Sequence, residues 1–520
     1  MARIRIYDTT LRDGTQMEGV TLTVLDKLAI TERLDWLGVH YIEGGFPVSN
    51  PKDEEYFRRV GDLQLKNAKI VAFGMTRRAK NRAEEDATLV AMLASSAPVL
   101  TVVGKSWDFH VTDVLRVSLD ENLGMIEDSI RFLKAAGREV IFDAEHFFDG
   151  YRADPGYALA TLEAAAKGGA DWLVPCDTNG GSLPEAVAEV VRTVRSRFTT
   201  PAGIHCHNDG GLGVANTLAA VAAGATMVQG TTNGIGERCG NADLTSIIPN
   251  LSLKMGLECL SSADLPKLTE VSRYVWEVVN MAIPNNQPFV GPSAFSHKGG
   301  MHVHAVSRDT RTYEHITPEA VGNERHILIS ELSGASNVAT KLHEMGFGVD
   351  RDLTKKILNR VQDLEHEGYH FEAADGSFAL LVRKMAGTYR KFFNLEAFRV
   401  MITRDRDGRP VCEATVKLSV GEQVRHTAAE GDGPVNAFDG ALRKALEDIY
   451  PALKKVQLVD YKVRVVNPRA ATAAKVRVII ESKDDARHWG TIGVSENIIE
   501  ASYEALADSI EYKLMMDEEA

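Results

Sequence analysis

Two histidines, His205 and His207, stand two residues apart at the end of a short apolar run, Ala202-Gly203-Ile204. In a strand, alternate side chains point to one face. Both imidazoles can therefore aim at one point beyond the strand end, as two ligands of one metal ion must. Asn208 and Asp209 follow at once, and a glycine-rich turn comes next. Far upstream, Arg12-Asp13 lies just after another short strand pattern. Two histidines and one carboxylate make a facial set that leaves coordination positions open for substrate. Such a set accepts zinc, manganese or cobalt, and affinity alone favours zinc. The plainer reading is two ordinary polar residues at a strand end, since His-x-His is a common pattern. The surrounding architecture has to separate the two.

From the N-terminus to about residue 270, short apolar runs alternate with longer amphipathic stretches. The pattern predicts strands at Arg3–Tyr7, Val39–Glu43, Lys69–Phe73, Val99–Val103, Glu139–Asp143, Trp172–Pro175, Gly203–His205 and Met227–Gly230. Helices are predicted at Val24–Leu37, Glu84–Ser95, Glu127–Ala136, Leu159–Ala166, Glu185–Arg197 and Val214–Ala223. The first has a capping box, Thr23-x-x-Asp26, and ends at Gly38. Eight such units predict a (β/α)8 TIM barrel over residues 1–270. A doubly wound sheet is the rival, but no Gly-x-Gly-x-x-Gly opens the first unit.

In such a barrel, chemistry sits at the C-terminal strand ends. Arg12-Asp13, Glu43, Glu145-His146, Asp177-Thr178-Asn179, the histidine pair and Asn233–Asn241 all fall there. Residues 271–390 read as a linker region, mostly helical, with helices at Val338–Met345 and Leu353–Glu367. It contains a histidine-rich stretch, Ser296–His304. Residues 391–520 read as an α+β regulatory, dimerising domain, with strands near Phe393–Thr403, Val411–Val420, Lys462–Val466 and Val476–Ser482.

Composition narrows the function classes. A chain of 520 residues is too long for one core. Hydrophobic content of 44% and charged content of 25% are those of a soluble globular protein. A net charge of −13 argues against nonspecific binding to nucleic acid or an anionic membrane. No apolar run reaches the roughly 20 residues that span a bilayer. The five scattered cysteines lack disulfide or metal-knuckle spacing, so a reducing cytoplasm is expected. Cys206 alternates with the two histidines and should face away from them.

The stretch Asp8-Thr-Thr-Leu-Arg-Asp-Gly-Thr-Gln16 resembles the opening signature of the acyl-CoA condensing metalloenzymes, the isopropylmalate, citramalate and homocitrate synthases. The resemblance continues through His205–Asp209, Asn233–Asn241, Ser296–His304 and the C-terminal domain, so it spans essentially the whole chain. Val103–His110, Gly44–Asp53, Glu145–Gly150, Tyr313–Pro318 and Gly322–His326 are similar to the citramalate branch. The resemblance implies a divalent metal, Zn2+ or Mn2+, on Asp13, His205 and His207, with Asn241 beside or on it. It implies that Arg12 binds and polarises a 2-keto acid, and that Thr178 and Glu145 contact it. His302 and Tyr313 would come from the linker, in this family often from the partner subunit of a homodimer.

The implied reaction adds acetyl-CoA to pyruvate and hydrolyses the thioester, with isoleucine as feedback inhibitor. His302 is the favoured base for the acetyl methyl, and Glu145 is the alternative. Use of 2-oxoisovalerate would instead make the chain a 2-isopropylmalate synthase. Two further readings are a 3-hydroxyacyl-CoA lyase and a catalytically inactive amino-acid sensor. Such lyases normally lack a domain like 390–520, and the intact Arg12, Asp13, His205 and His207 set counts against a sensor.

Overall fold

The computed structural model describes residues 3–47, 49–330, 334–348, 350–404, 406–466 and 474–519. Of the stretch Gly44–Asp53, Val48 therefore lies outside the described residues. Eight parallel strands close into a barrel in chain order. They are β1 (Arg5–Asp8), β2 (Tyr41–Gly45), β3 (Lys69–Met75), β4 (Val99–Lys105), β5 (Glu139–Glu145), β6 (Trp172–Asp177), β7 (Gly203–Cys206) and β8 (Met227–Gly230). β1 pairs with both β2 and β8, which closes the ring.

Alternation along each strand explains the two apolar layers. Tyr7, Tyr41, Val71, Val99, Ile141, Val174, Cys176 and Met227 form one buried cluster. Their chain neighbours, among them Ile6, Ile42, Ile70, Val140, Leu173 and Val228, pack into the larger core under the helices. Cys206 belongs to that outer core, facing away from the histidines as its position in the alternation requires.

Local signals set the helix ends. Thr23 and Asp26 form a reciprocal capping box on helix Val24–Leu37, and Gly38 ends it at φ 94°. The helix expected from Glu127 instead begins at Leu119, capped by the Ser118 side chain. Its first turn is acidic and shows no apolar stripe, so periodicity alone misses it. The stretch expected as a helix from Glu84 to Ser95 is divided. Asp86 caps a shorter helix, Ala87–Ala94, by accepting from Thr88 N.

The chain forms two compact units, Met1–Phe295 with His315–Arg325, and Ser296–Glu314 with His326–Ala520. Within the first, the returning segment is well anchored. Val321 is fully buried in the barrel's outer core, and its carbonyl accepts from Thr269 Oγ1 at 2.7 Å. Gly322, at φ 74°, lies so close to the Pro266 carbonyl that a Cβ would fall 1.8 Å from its oxygen. Asn323 donates to the carbonyls of Phe289 and Gly291 at 2.9 and 3.0 Å.

The second unit begins with β9 (Ser296–His297), paired in parallel with β10 (His326–Ile327). Helices Ala335–Glu344, Arg351–Glu367 and Asp375–Ala386 follow. Two similar modules complete it. β11 (Asn394–Arg404), β12 (Pro410–Val420) and β13 (Gln423–Gly431) form an antiparallel sheet followed by helix Pro434–Leu446. β14 (Gln457–Val465), β15 (Val476–Lys483) and β16 (His488–Ser495) form another, followed by helix Ile498–Glu518. Val416, Leu418, Phe438, Leu442, Ile480, Trp489 and Leu506 share one core.

Candidate metal centre at the barrel mouth

Asp13 follows β1, His205 is the third residue of β7, and His207 lies just beyond it. All three are buried, and one potential ligand atom from each lies within 4.8 Å of the others. Burial holds both imidazoles below their ordinary pKa, His205 at about 4, so both rings are neutral with lone pairs to offer. Burial works against the charge of Asp13, yet the neighbouring groups, the Arg12 guanidinium foremost, outweigh it and hold the carboxyl below its ordinary range. A carboxylate and two neutral imidazoles are the protonation states that metal binding demands.

Asn241 joins them. It pairs with His207 through an isolated antiparallel bridge. The loop before it needs its glycines. A Cβ on Gly236, at φ 153°, would sit 2.3 Å from Asn241 Nδ2. His207 Nδ1 and Asn241 Oδ1 are both buried without a hydrogen-bond partner among the described residues. Such atoms are rare because each carries a desolvation penalty. Here a cation would satisfy both, so the residues fit a metal ion.

Arg12 lies beside this cluster. Its Nη1 is 3.6 Å from Asp13 Oδ2, and its Nε donates to Glu43, the middle residue of β2. The guanidinium stacks over Phe73 at 4.0 Å. Glu43 is fully buried and also accepts from the Tyr7 hydroxyl at 2.5 Å. Sequence reading placed Glu43 on the rim without giving it a role. Its signal was a carboxylate in an otherwise apolar strand.

Glu145 and Thr178 stand on neighbouring parts of the rim. Glu145 ends β5 and pairs with Lys105, its register partner on β4. Thr178 follows β6, and its Oγ1 accepts from His146 N at 2.8 Å. It does not cap the next helix, whose N-cap is Leu183. Arg238 ties three loops together. It makes a two-point pair with Asp209 at 2.7 and 2.9 Å and donates to the Thr178 carbonyl at 2.8 Å.

His302 and Tyr313 belong to the second unit. Their rings stack with centroids 4.0 Å apart, and both side chains are exposed. Nearby, His297 Nε2 and Glu314 Oε1 form a buried pair at 3.1 Å. Among the described residues, no helix is long and apolar enough to cross a membrane.

Barrel, centre and following domains fit one class of enzyme. Residues 3–275 match the HMGL-like family. Residues 289–369 match the homocitrate synthase post-HMGL domain, and 372–514 match the LeuA allosteric (dimerisation) domain. The chain is an acyltransferase of the condensing kind.

The (R)-citramalate synthase of Aquifex aeolicus is 54% identical, over 99% of this chain and 99% of that protein. That of Geobacter sulfurreducens is 52% identical, over 100% and 99%. The 2-isopropylmalate synthase of Methanocaldococcus jannaschii is 33% identical, over 98% and 94%. The chain belongs to the (R)-citramalate synthase family.

Proposed function

We propose that the barrel mouth condenses acetyl-CoA with pyruvate and hydrolyses the resulting thioester, releasing (R)-citramalate and coenzyme A for isoleucine synthesis. The observation that carries this reading is the buried Asp13, His205 and His207 set with the unpartnered acceptors of His207 and Asn241 beside it. The full-length relatives supply the choice of keto acid. Asp13, His205, His207 and Asn241 hold a divalent ion, zinc or manganese. When bound, that ion supplies Lewis acidity toward the carbonyl of the keto acid.

The chain's own residues do the rest. Arg12 binds the keto acid and sets a fixed positive charge where negative charge develops on its carbonyl oxygen. Glu43 and Asp13 hold that guanidinium in place, so it does not reorganise during reaction. Thr178 and Glu145 contact the keto acid from the loops after β6 and at the end of β5. His302 takes the proton from the acetyl methyl, with Tyr313 stacked on its ring. Glu145, paired with Lys105, is the second candidate for the base. The segments divide the labour, with catalysis in 1–270, completion of the active site by 271–390, and regulation and dimerisation in 391–520. Isoleucine is the feedback inhibitor, and the working form is a homodimer with both substrates at each mouth.

The test is coenzyme A release from acetyl-CoA with pyruvate, 2-oxobutyrate, 2-oxoisovalerate and 2-oxoglutarate, before and after EDTA. Preference for pyruvate, loss of activity on chelation and recovery with Zn2+ or Mn2+ are expected. Preference for 2-oxoisovalerate moves the same site to isopropylmalate synthesis. No release with any keto acid in metal-replete protein overturns the assignment.

A further inference from the structure

His205 faces its two sides with different nitrogens. Nε2 lies 3.4 Å from Asp13 Oδ2, on the side of the candidate ligands. Nδ1 lies 3.0 Å from Gln229 Oε1. Gln229 in turn donates from Nε2 to Asp143 Oδ1 at 2.9 Å. All three residues are buried, Gln229 completely. They come from β7, β8 and β5, and the β7–β8 register sets His205 opposite Gln229.

Side chains inside a barrel of this kind are mostly branched and apolar. A fully buried carboxamide there is costly unless both of its ends are bonded. Both are. A neutral imidazole carries its hydrogen on either nitrogen, and the group it meets decides which. An amide oxygen can only accept. With Oε1 toward His205, the hydrogen stays on Nδ1 and the lone pair on Nε2. In this orientation one amide serves both neighbours, its oxygen meeting His205 and its NH2 group meeting an oxygen of Asp143.

We propose that Gln229, held by Asp143, is a positioning residue that fixes the tautomer and ring orientation of His205 and so presents Nε2 to the metal. This rests on the reading of His205 as a ligand. Outer partners of this kind are typically worth ~10–100-fold in metal affinity. His207 is built differently, since its Nδ1 has no hydrogen-bond partner among the described residues.

The experiment measures Zn2+ affinity of the full-length, metal-stripped protein by competition with a chromogenic chelator. Circular dichroism confirms the fold of each variant. Gln229→Leu keeps the volume and removes the acceptor, so it should bind Zn2+ about 10–100-fold more weakly. Gln229→Asn stays polar but withdraws the acceptor by one methylene, and it should lose affinity similarly even if the leucine variant fails to fold. Gln229→Glu keeps an acceptor and should stay within about threefold of the wild type. Wild-type affinity in folded Gln229→Leu or Gln229→Asn overturns the proposal. So does a Gln229→Glu variant as weak as Gln229→Leu, since an acceptor facing Nδ1 would then not sustain binding. If His205→Ala abolishes binding while the Gln229 variants do not, only the positioning role falls. If the wild type binds no Zn2+, the metal centre falls with it.

Discussion

Replacing Asp143 by asparagine should stabilise the metal-free barrel increasingly as pH rises from about 4 to 8 and leave it unchanged below about pH 4. Asp143 is buried between strands and accepts only an amide donor from Gln229. Burial, with Glu43 adding to it, raises its pKa from 3.8 to about 8. In the unfolded chain the same group ionises at its ordinary value. Between those values the native state binds a proton that the unfolded state has released. The stability Asp143 contributes is thus complete below pH ~4 and drains away as pH rises toward 8. At ~1.4 kcal/mol per pH unit, the loss is on the order of 5 kcal/mol at pH 8 and above. Asparagine keeps an oxygen for Gln229 and cannot ionise, so its advantage should grow from nothing below pH ~4, through about 1.5 kcal/mol near pH 5, to a plateau above pH 8. Other titrating carboxyls, such as Asp8, cancel because both proteins carry them. For a unit of this size the plateau corresponds to roughly 5–10 °C in melting temperature. Calorimetry in EDTA at pH 5, 6.5, 8 and 9 measures it. Bound metal should shrink the difference, since a nearby dication lowers the carboxyl's pKa. A pH-independent difference, or an asparagine variant less stable at pH 8, would refute the reasoning.

Other changes have equally direct outcomes. Arg12→Lys keeps the charge but cannot span Glu43 and Asp13 while stacked on Phe73. Coenzyme A release should fall by about 10²–10³ with little change in melting temperature. Asp53→Ala strands the buried Lys27 ammonium, leaving it the Gly44 carbonyl at 2.9 Å, and should destabilise the barrel by about 3–5 kcal/mol in urea unfolding. If residues 391–520 bind isoleucine, millimolar isoleucine should raise the melting temperature and inhibit coenzyme A release. Leucine should do neither at the same concentration.

Much of the barrel is written in local pattern. Short apolar runs alternating with capped helices spell the barrel, and Thr23, Asp26 and Gly38 mark a helix at both ends. The alternation of His205, Cys206 and His207 alone says which side each faces. Other features are not local. Glu43 meets Arg12, and Gln229 meets His205, only because barrel closure and strand register bring them together. No spacing along the chain encodes either pair. In the C-terminal modules four of the six strands are legible, and β13 and β16 are missed for another reason. β13 has no fully buried residue, so it shows no apolar alternation. β16 carries Gly490 and Gly493 where backbone carbonyls approach closely, and it reads as a turn. Helix Asp375–Ala386 opens with Asp-Gly-Ser, which has the look of a loop.

The return of His315–Arg325 to the first unit constrains how such a gene can be recombined. A crossover placed anywhere between Phe295 and Arg325 would give the barrel a foreign Val321 segment, or none. Thr269 would then lack its acceptor, and Pro266 would meet a residue not selected to leave room for its carbonyl. Exchange of regulatory modules between relatives should therefore succeed only with junctions beyond Arg325. The histidine-rich segment 296–314 must then travel with the barrel that it interrupts, rather than with the domain that follows it.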